Sequence, residues 1–171
     1  EFGKPGNYFG RQVDRWTKQY RLSETETMPG MEKLIEWLPA TLPEQTRTSV
    51  VHGDFRIDNA IFDHNGPKCL AVLDWELSTI GDPLADFSYV AMAWVTENGG
   101  RSGVKDLDRK ALGIPELEEM VERYCAATGR DSIPDMNWYL AYNFFRLAGI
   151  MQGIKKRVID GTASSAHAKN M

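Results

Sequence analysis

Residues 52–59, His-Gly-Asp-Phe-Arg-Ile-Asp-Asn, set a carboxylate, Asp54, and an amide, Asn59, five positions apart. A second carboxylate, Asp74, follows fifteen residues after Asn59, within Leu73-Asp74-Trp75-Glu76. A carboxylate can handle the proton of a substrate hydroxyl. An amide oxygen can hold a metal ion, and a second carboxylate can bridge metal ions to nucleotide phosphates. Together these are the parts for phosphoryl transfer from ATP, a reaction in which the protein mainly positions groups and neutralises charge.

The flanking residues predict how these groups meet. Thr48 to Val51 is short and β-branched, and reads as a strand leading into His52. Gly53 lets the backbone turn sharply. Asn59-Ala60-Ile61-Phe62 resumes a strand, Asp63-His64-Asn65-Gly66-Pro67 is a tight turn, and Cys69 to Leu73 is an apolar run that reads as a buried strand ending at Asp74. Asp54 and Asn59 then bracket one loop, and the hairpin returns Asp74 beside them, all at one end of a small sheet.

Charge points the same way. Asp54, Asp58, Asp63, Asp74, Glu76, Asp82 and Asp86 face only Arg56 and Lys68 over this stretch. Like charges so crowded raise one another's pKa unless a cation or donors compensate. Mg²⁺ suits carboxylate, amide and phosphate oxygens. Asp58, Asp63 and Asp82 read equally well as caps of turns and helices.

The string His52-x-Asp54-x₄-Asn59 fits the catalytic loop of the protein-kinase pattern. Gly53, with Asp74-Trp75-Glu76 in place of Asp-Phe-Gly, resembles the aminoglycoside phosphotransferase (choline-kinase-like) group instead. Leu73 to Asp86, which contains Gly81-Asp82-Pro83-Leu84-Ala85-Asp86, narrows the resemblance, as does Tyr8-Phe9-x-Arg11-Gln12-x-x-x-Trp16. Both look like the kinase-like domains associated with acyl-CoA dehydrogenases. The resemblance implies an α+β, mainly helical fold, the C-terminal lobe of a protein-kinase-like protein, with a small β-hairpin sheet carrying the catalytic loop. It implies that Asp54 is the catalytic base, that Asn59 and Asp74 are magnesium ligands, and that His52 fixes the loop. Asp86 would hydrogen-bond back to that loop from the following helix; Glu76 receives no role.

The same resemblance implies a small N-terminal lobe that covers the nucleotide. Residues 1–50 contain no glycine-rich loop between strands and no strand carrying a lysine; Lys4 lies in a Gly-Lys-Pro-Gly coil. Residues 1–171 are therefore expected to be a single domain, the C-lobe alone, inactive until joined to its N-lobe. The implied reaction moves the γ-phosphoryl of Mg·ATP to a small-molecule hydroxyl, with a hydroxyacyl-CoA or hydroxy acid as the expected acceptor. An acyl-CoA dehydrogenase domain or protein is the expected partner.

A chain of 171 residues is long enough to bury roughly 70% of its unfolded surface. Its formal charge of −4 argues against nucleic acid or an anionic membrane as partner. Cys69 and Cys125 read as buried free thiols without a metal-spaced partner, which suits a reducing, cytoplasmic setting. No apolar run of membrane-spanning length and no signal peptide is visible.

Helices are expected over 7–21, with Phe9, Val13, Trp16 and Tyr20 on one face, and over 30–38, with Met31, Leu34, Ile35 and Leu38, limited by Pro39 and Pro43. Asp82-Pro83 predicts a helix start, with the helix running to about Val95. Residues 96–114 read as a loop suited to acceptor selection or as a plain surface excursion; Arg101, Lys105, Arg109 and Lys110 could meet an anionic acceptor there. A helix over 115–128 is ended by Gly129, and a buried helix runs from Met136 to about Val158. Arg146 in that apolar helix needs a partner, either a structural carboxylate or an anionic group of the acceptor. Residues 161–171 read as a frayed tail.

Other classes fit less well. A metallophosphoesterase needs further His-containing ligand motifs, and a serine hydrolase needs a G-x-S-x-G elbow that is absent. A non-catalytic kinase-like binding module is the serious alternative, but it has no chemical need for Asp54, Asn59 and Asp74 together.

Overall fold

A computed structural model describes residues 2–99 and 103–162 of the chain. Gly100, Arg101 and Ser102 of the expected acceptor loop, and 163–171 of the expected tail, lie outside the described residues. The architecture is mainly helical with a little sheet, as the sequence implies.

Helix α1 (Tyr8–Ser23) buries Phe9, Val13 and Tyr20, the stripe that its periodicity marks. The Phe9 ring is the hub, with centroids 5.2 Å from Trp138, 5.2 Å from Tyr139 and 5.0 Å from Tyr142, mostly edge-to-face. Aromatic quadrupoles favour that arrangement over a flat sandwich. Helix α2 (Pro29–Ala40) buries Met31 and Leu38 in the same core. It runs past the expected stop at Pro39. A proline one residue from the end forfeits a single ladder bond, and Thr41 closes the end by donating its N–H (3.1 Å) and hydroxyl (2.8 Å) to the Trp37 carbonyl.

The sheet is two separate antiparallel pairs rather than one. Strand β1 (Ser49–Val51) pairs with β4 (Thr79–Gly81), a strand not foreseen from sequence, in the register Ser49↔Gly81 and Val51↔Thr79. Between them β2 (Ala60–Phe62) and β3 (Cys69–Val72) form the expected hairpin, with a register shift between Ile61 and Phe62. Asp63 N donates to Lys68 O at 2.8 Å, and Asp63 Oδ1 accepts from Asn65 N at 2.9 Å, so Asp63 caps the turn. Gly81 must be glycine, since a Cβ there would lie 2.3 Å from the Tyr8 ring.

The expectation that Cys69 to Leu73 is buried is overturned. Cys69, Leu70 and Leu73 are exposed, with Leu70 at 56%, and so are Ile61 and Phe62 of β2. A two-stranded hairpin has two faces, and no element of the described chain is laid over this one. Its apolarity is that of a covered strand, but the cover is not in this chain's described residues. Cys125, by contrast, is buried as expected.

Asp82 caps helix α3 (Leu84–Ala91): its Oδ1 accepts from Leu84 N at 2.9 Å, and helical dihedrals begin at Pro83 (φ −62°, ψ −17°). Burial raises the Asp82 carboxyl, opposed by that amide and by Arg130. The helix ends at Ala91 and tightens into a 3₁₀ turn over Met92–Trp94, short of the expected Val95. Helix α4 (Leu117–Thr128) stops at Gly129, whose φ of +61° is the left-handed cap glycine tolerates. Helix α5 (Met136–Ile159) packs against α1, α2 and α3. It is not buried all round, because Phe144 and Met151 on its outer side are exposed. No described helix is long and apolar enough to cross a membrane.

Phe9→Ala removes the hub of the aromatic core and is expected to cost about 3–5 kcal/mol, read from urea unfolding. Leu22→Ala, on the same helix but exposed, should stay within about 0.5 kcal/mol of the native protein.

Candidate active site

Strand β1 delivers His52 into the core, where it is 2% exposed. Its Nδ1 accepts from the Asp54 backbone N–H at 3.2 Å, and its Nε2 lies 2.7 Å from the Leu73 carbonyl. An amide can only donate and a carbonyl can only accept, so the ring is neutral with its proton on Nε2. Neither nitrogen is left for a substrate. The ring packs against Trp75 at 4.7 Å and Phe55 at 5.9 Å, which ties the 52–59 loop to the residue after Asp74.

Gly53 turns the chain with φ +87°, and a Cβ there would sit 2.7 Å from the Leu77 carbonyl. Both of its backbone polar groups are held. Its N–H donates to Asp86 Oδ1 at 2.9 Å, and its carbonyl accepts from Arg146 Nη2 at 2.6 Å. Asp86 Oδ2 accepts from His52 N at 2.6 Å, so one carboxylate on α3 takes two consecutive loop amides. Burial raises the Asp86 carboxyl, opposed by those two amides and by Arg146.

Asp54 comes next, with its side chain 24% exposed. Arg56 Nε lies 3.7 Å from its Oδ2, and Asn59 Nδ2 lies 3.4 Å from the same oxygen. Asn59 is buried at the end of a 3₁₀ turn. Its Nδ2 donates to the Asp54 carbonyl at 2.9 Å, and its own carbonyl accepts from Leu73 N at 2.8 Å. That last bond extends the β2–β3 ladder by one rung and places Asp74 one residue beyond Asn59's partner. Among the described residues nothing donates to Asn59 Oδ1, and nothing pairs with the exposed Asp74 carboxylate. Asp74 is left-handed (φ +66°, ψ +51°), one of two such non-glycine residues among those described. Such a conformation costs of the order of 1–3 kcal/mol and persists where surrounding structure enforces it.

The structure thus brings His52, Asp54, Asn59, Asp74 and Asp86 to one place. Asp58 sits apart, exposed beside Arg56 at 3.5 Å. Among the described residues no group of three or more His, Cys, Asp or Glu is arranged to hold a metal ion. Asn59 and Asp74 each carry a side-chain oxygen that has no hydrogen-bond or ion-pair partner among the described residues.

Two features escape a reading of the sequence. Arg146 pairs with no carboxylate within ion-pair distance among the described residues. Its guanidinium lies over the rings of Trp16 (5.6 Å) and Tyr89 (5.3 Å) while donating to the Gly53 carbonyl. Rings and a carbonyl satisfy the cation where a carboxylate was expected. Tyr89 itself was not singled out, although it lies three residues after Asp86 and so on the same side of α3.

The model of the phosphotransferase enzyme family matches residues 1–139. The chain belongs to that family. It is 54% identical, with a TM-score of 0.94, to a Ralstonia eutropha protein whose crystal structure is described as a "putative aminoglycoside phosphotransferase"; 99% of this chain and 52% of that one are covered. It is also 51% identical to acyl-CoA dehydrogenase family member 10 of Mus musculus, over 98% of this chain and 16% of the relative. With acyl-CoA dehydrogenase family member 11 of Homo sapiens it shares 39% identity over 96% of this chain and 21% of the relative. The chain therefore spans about a fifth or less of these curated relatives and about half of the crystallised phosphotransferase. A kinase-like phosphotransferase fold with kin among acyl-CoA dehydrogenase family members is what the sequence motifs imply.

Asp86→Ala strips the acceptor from two loop amides. It is expected to destabilise the protein by about 1–3 kcal/mol. Amide hydrogen exchange at His52 and Gly53 should quicken far more than at the Phe9 core.

Proposed function

We propose that this chain is the catalytic lobe of a small-molecule kinase that transfers the γ-phosphoryl of Mg·ATP to a substrate hydroxyl. One observation carries the reading. Asn59 spends its amide N–H on the Asp54 carbonyl, and among the described residues nothing donates to its Oδ1 or pairs with the exposed Asp74 carboxylate, while the Asp54 carboxylate is part-exposed. Asp54 would orient the acceptor hydroxyl and take its proton. Asn59 and Asp74 fit a magnesium site, being hard oxygen donors whose remaining partners would be water and phosphate. Magnesium held there would neutralise charge on the transferring phosphates. His52 and Asp86 would hold the loop and take no part in proton transfer.

Residues 1–171 would act as one unit beside a second, nucleotide-covering lobe. The exposed apolar side chains of the hairpin support this, since Ile61, Phe62, Leu70 and Leu73 all lie open to solvent. The relatives' names favour an acyl-CoA dehydrogenase domain or protein as partner, and with it a hydroxyacyl-CoA or hydroxy acid as acceptor; two free thiols suit a cytoplasmic setting. An antibiotic acceptor is favoured only by the description of the Ralstonia protein.

The test uses the protein extended to its natural start, with Mg·ATP and a panel of hydroxyacyl-CoAs, hydroxy acids, choline-like alcohols and aminoglycosides, read by ³¹P NMR. Asp54→Asn should lower turnover at least about 100-fold, the scale of a lost general base, with nucleotide affinity within about threefold. Nucleotide affinity lost in parallel with turnover would remove Asp54 from the role of base. No product and no nucleotide binding would leave the binding-module reading.

A further inference from the structure

We propose that the basic groove between α1 and α5 is an anion site, taking the phosphate groups at the far end of an acceptor whose hydroxyl lies at Asp54. Its role in acceptor binding rests on the kinase reading; its affinity for phosphate does not. The groove has a volume of about 800 Å³, within the roughly 300–1,000 Å³ of small-molecule sites. Arg11, Arg15 and Lys18 line it from α1 and Lys156 and Arg157 from α5, against one carboxylate, Asp14. Those five cations share one cleft in a chain whose formal charge is −4. Among the described residues Arg11, Arg15, Lys18 and Arg157 have no carboxylate within ion-pair distance. Only Lys156 is paired, with Asp160 at 3.0 Å.

Folding does not account for the α1 cations. Lys156 and Arg157 lie in the last turn of α5, where the helix dipole favours positive charge. Arg11, Arg15 and Lys18 have no such reason. They fall at i, i+4 and i+7 on one face of α1, and like charges at that spacing weaken a helix. The first turn of α1, where the dipole favours acids, contains none. The Arg11 guanidinium donates to the Gly6 and Lys4 carbonyls, which hold it in place without cancelling its charge. A bound anion reverses the balance. Arginine forks match phosphate oxygens two at a time, and lysines add point charge. Arg11 to Lys18 covers about 10 Å of helix, enough to meet more than one phosphate.

The groove also adjoins the support of the 52–59 loop. Arg15 lies over the Trp16 ring at 5.8 Å and Arg146 over the same ring at 5.6 Å, while Arg146 donates to the Gly53 carbonyl. One indole therefore separates the cleft from the cation that holds the loop. Among the candidate acceptors, a hydroxyacyl-CoA carries its diphosphate and 3′-phosphate at the end of a long arm. Aminoglycosides and choline-like alcohols are cations, which this groove repels.

The test titrates the protein extended to its natural start with CoA by calorimetry, with Mg·AMP-PNP filling the nucleotide site. Lys18→Glu with Arg157→Glu reverses two exposed charges of the groove. Lys33→Glu with Arg123→Glu makes the same charge change on exposed positions of α2 and α4. Both variants should melt within about 2 °C of wild type, since all four side chains are exposed. The α2/α4 variant should bind CoA within about twofold of wild type and the groove variant at least about tenfold more weakly. With a hydroxyacyl-CoA as acceptor, the groove variant's acceptor KM should rise about tenfold while kcat and KM for Mg·ATP stay within about twofold. CoA affinity that is absent in wild type, unchanged in the groove variant, or lowered equally in the α2/α4 variant overturns the proposal. Weaker CoA binding with an unchanged acceptor KM overturns the groove's role in acceptor binding. Wild-type protein that binds CoA through the groove and turns over no acceptor defeats the kinase reading alone and leaves the phosphate site standing.

Discussion

One carboxylate anchors the 52–59 loop. Asp86 sits in the first turn of α3 and takes the N–H groups of His52 and Gly53 in its two oxygens. A sharp turn next to a strand end leaves amides with no ladder partner, and buried amides without acceptors are costly. A side chain with two acceptor oxygens satisfies both at once. The loop then presents Asp54 outward and Asn59 inward. The position of α3 fixes the position of the loop, and α3 is in turn fixed by the capping of Asp82 and by packing on α5.

Arg146 extends this support to the other side of the same peptide. Its half-buried guanidinium lies over Trp16 and Tyr89 and donates to a carbonyl, with no carboxylate in ion-pair distance among the described residues. A planar guanidinium suits this arrangement, since its two faces can each meet a ring while its edge donates. The arrangement gives α5, the longest described helix, a direct hold on the 52–59 loop. It also explains how a helix that is otherwise apolar around that position accommodates a cation.

The hairpin completes the site from the opposite direction. Its ladder ends at the bond between Asn59 O and Leu73 N, so Asp74 leaves the sheet beside Asn59. Asp74 then adopts a left-handed conformation and Trp75 turns back onto His52. The strained residue bears the carboxylate, and its neighbour's ring supports the loop, so strain and support lie in adjacent residues. Apolar side chains of the hairpin are open to solvent, in contrast to the tightly packed aromatic core around Phe9.

The sequence by itself determined most of the elements and named the candidate site residues. Periodicity marked Phe9, Val13 and Tyr20 as core, Asp82-Pro83 marked the start of α3, Gly129 the end of α4, and the spacing of Asp54, Asn59 and Asp74 marked the site, because each of these signals is local. It misjudged Cys69 to Leu73, since an apolar run records that a face is to be covered and not whether this chain supplies the cover. It also missed β4, whose three residues become a strand only by pairing with β1. Only the tertiary structure decided what Arg146 holds, because the Gly53 carbonyl lies 93 positions away in the sequence and is reached only through the packing of the helices. Local residue type can announce that a buried cation needs a partner; which partner it finds is a property of how the helices are packed.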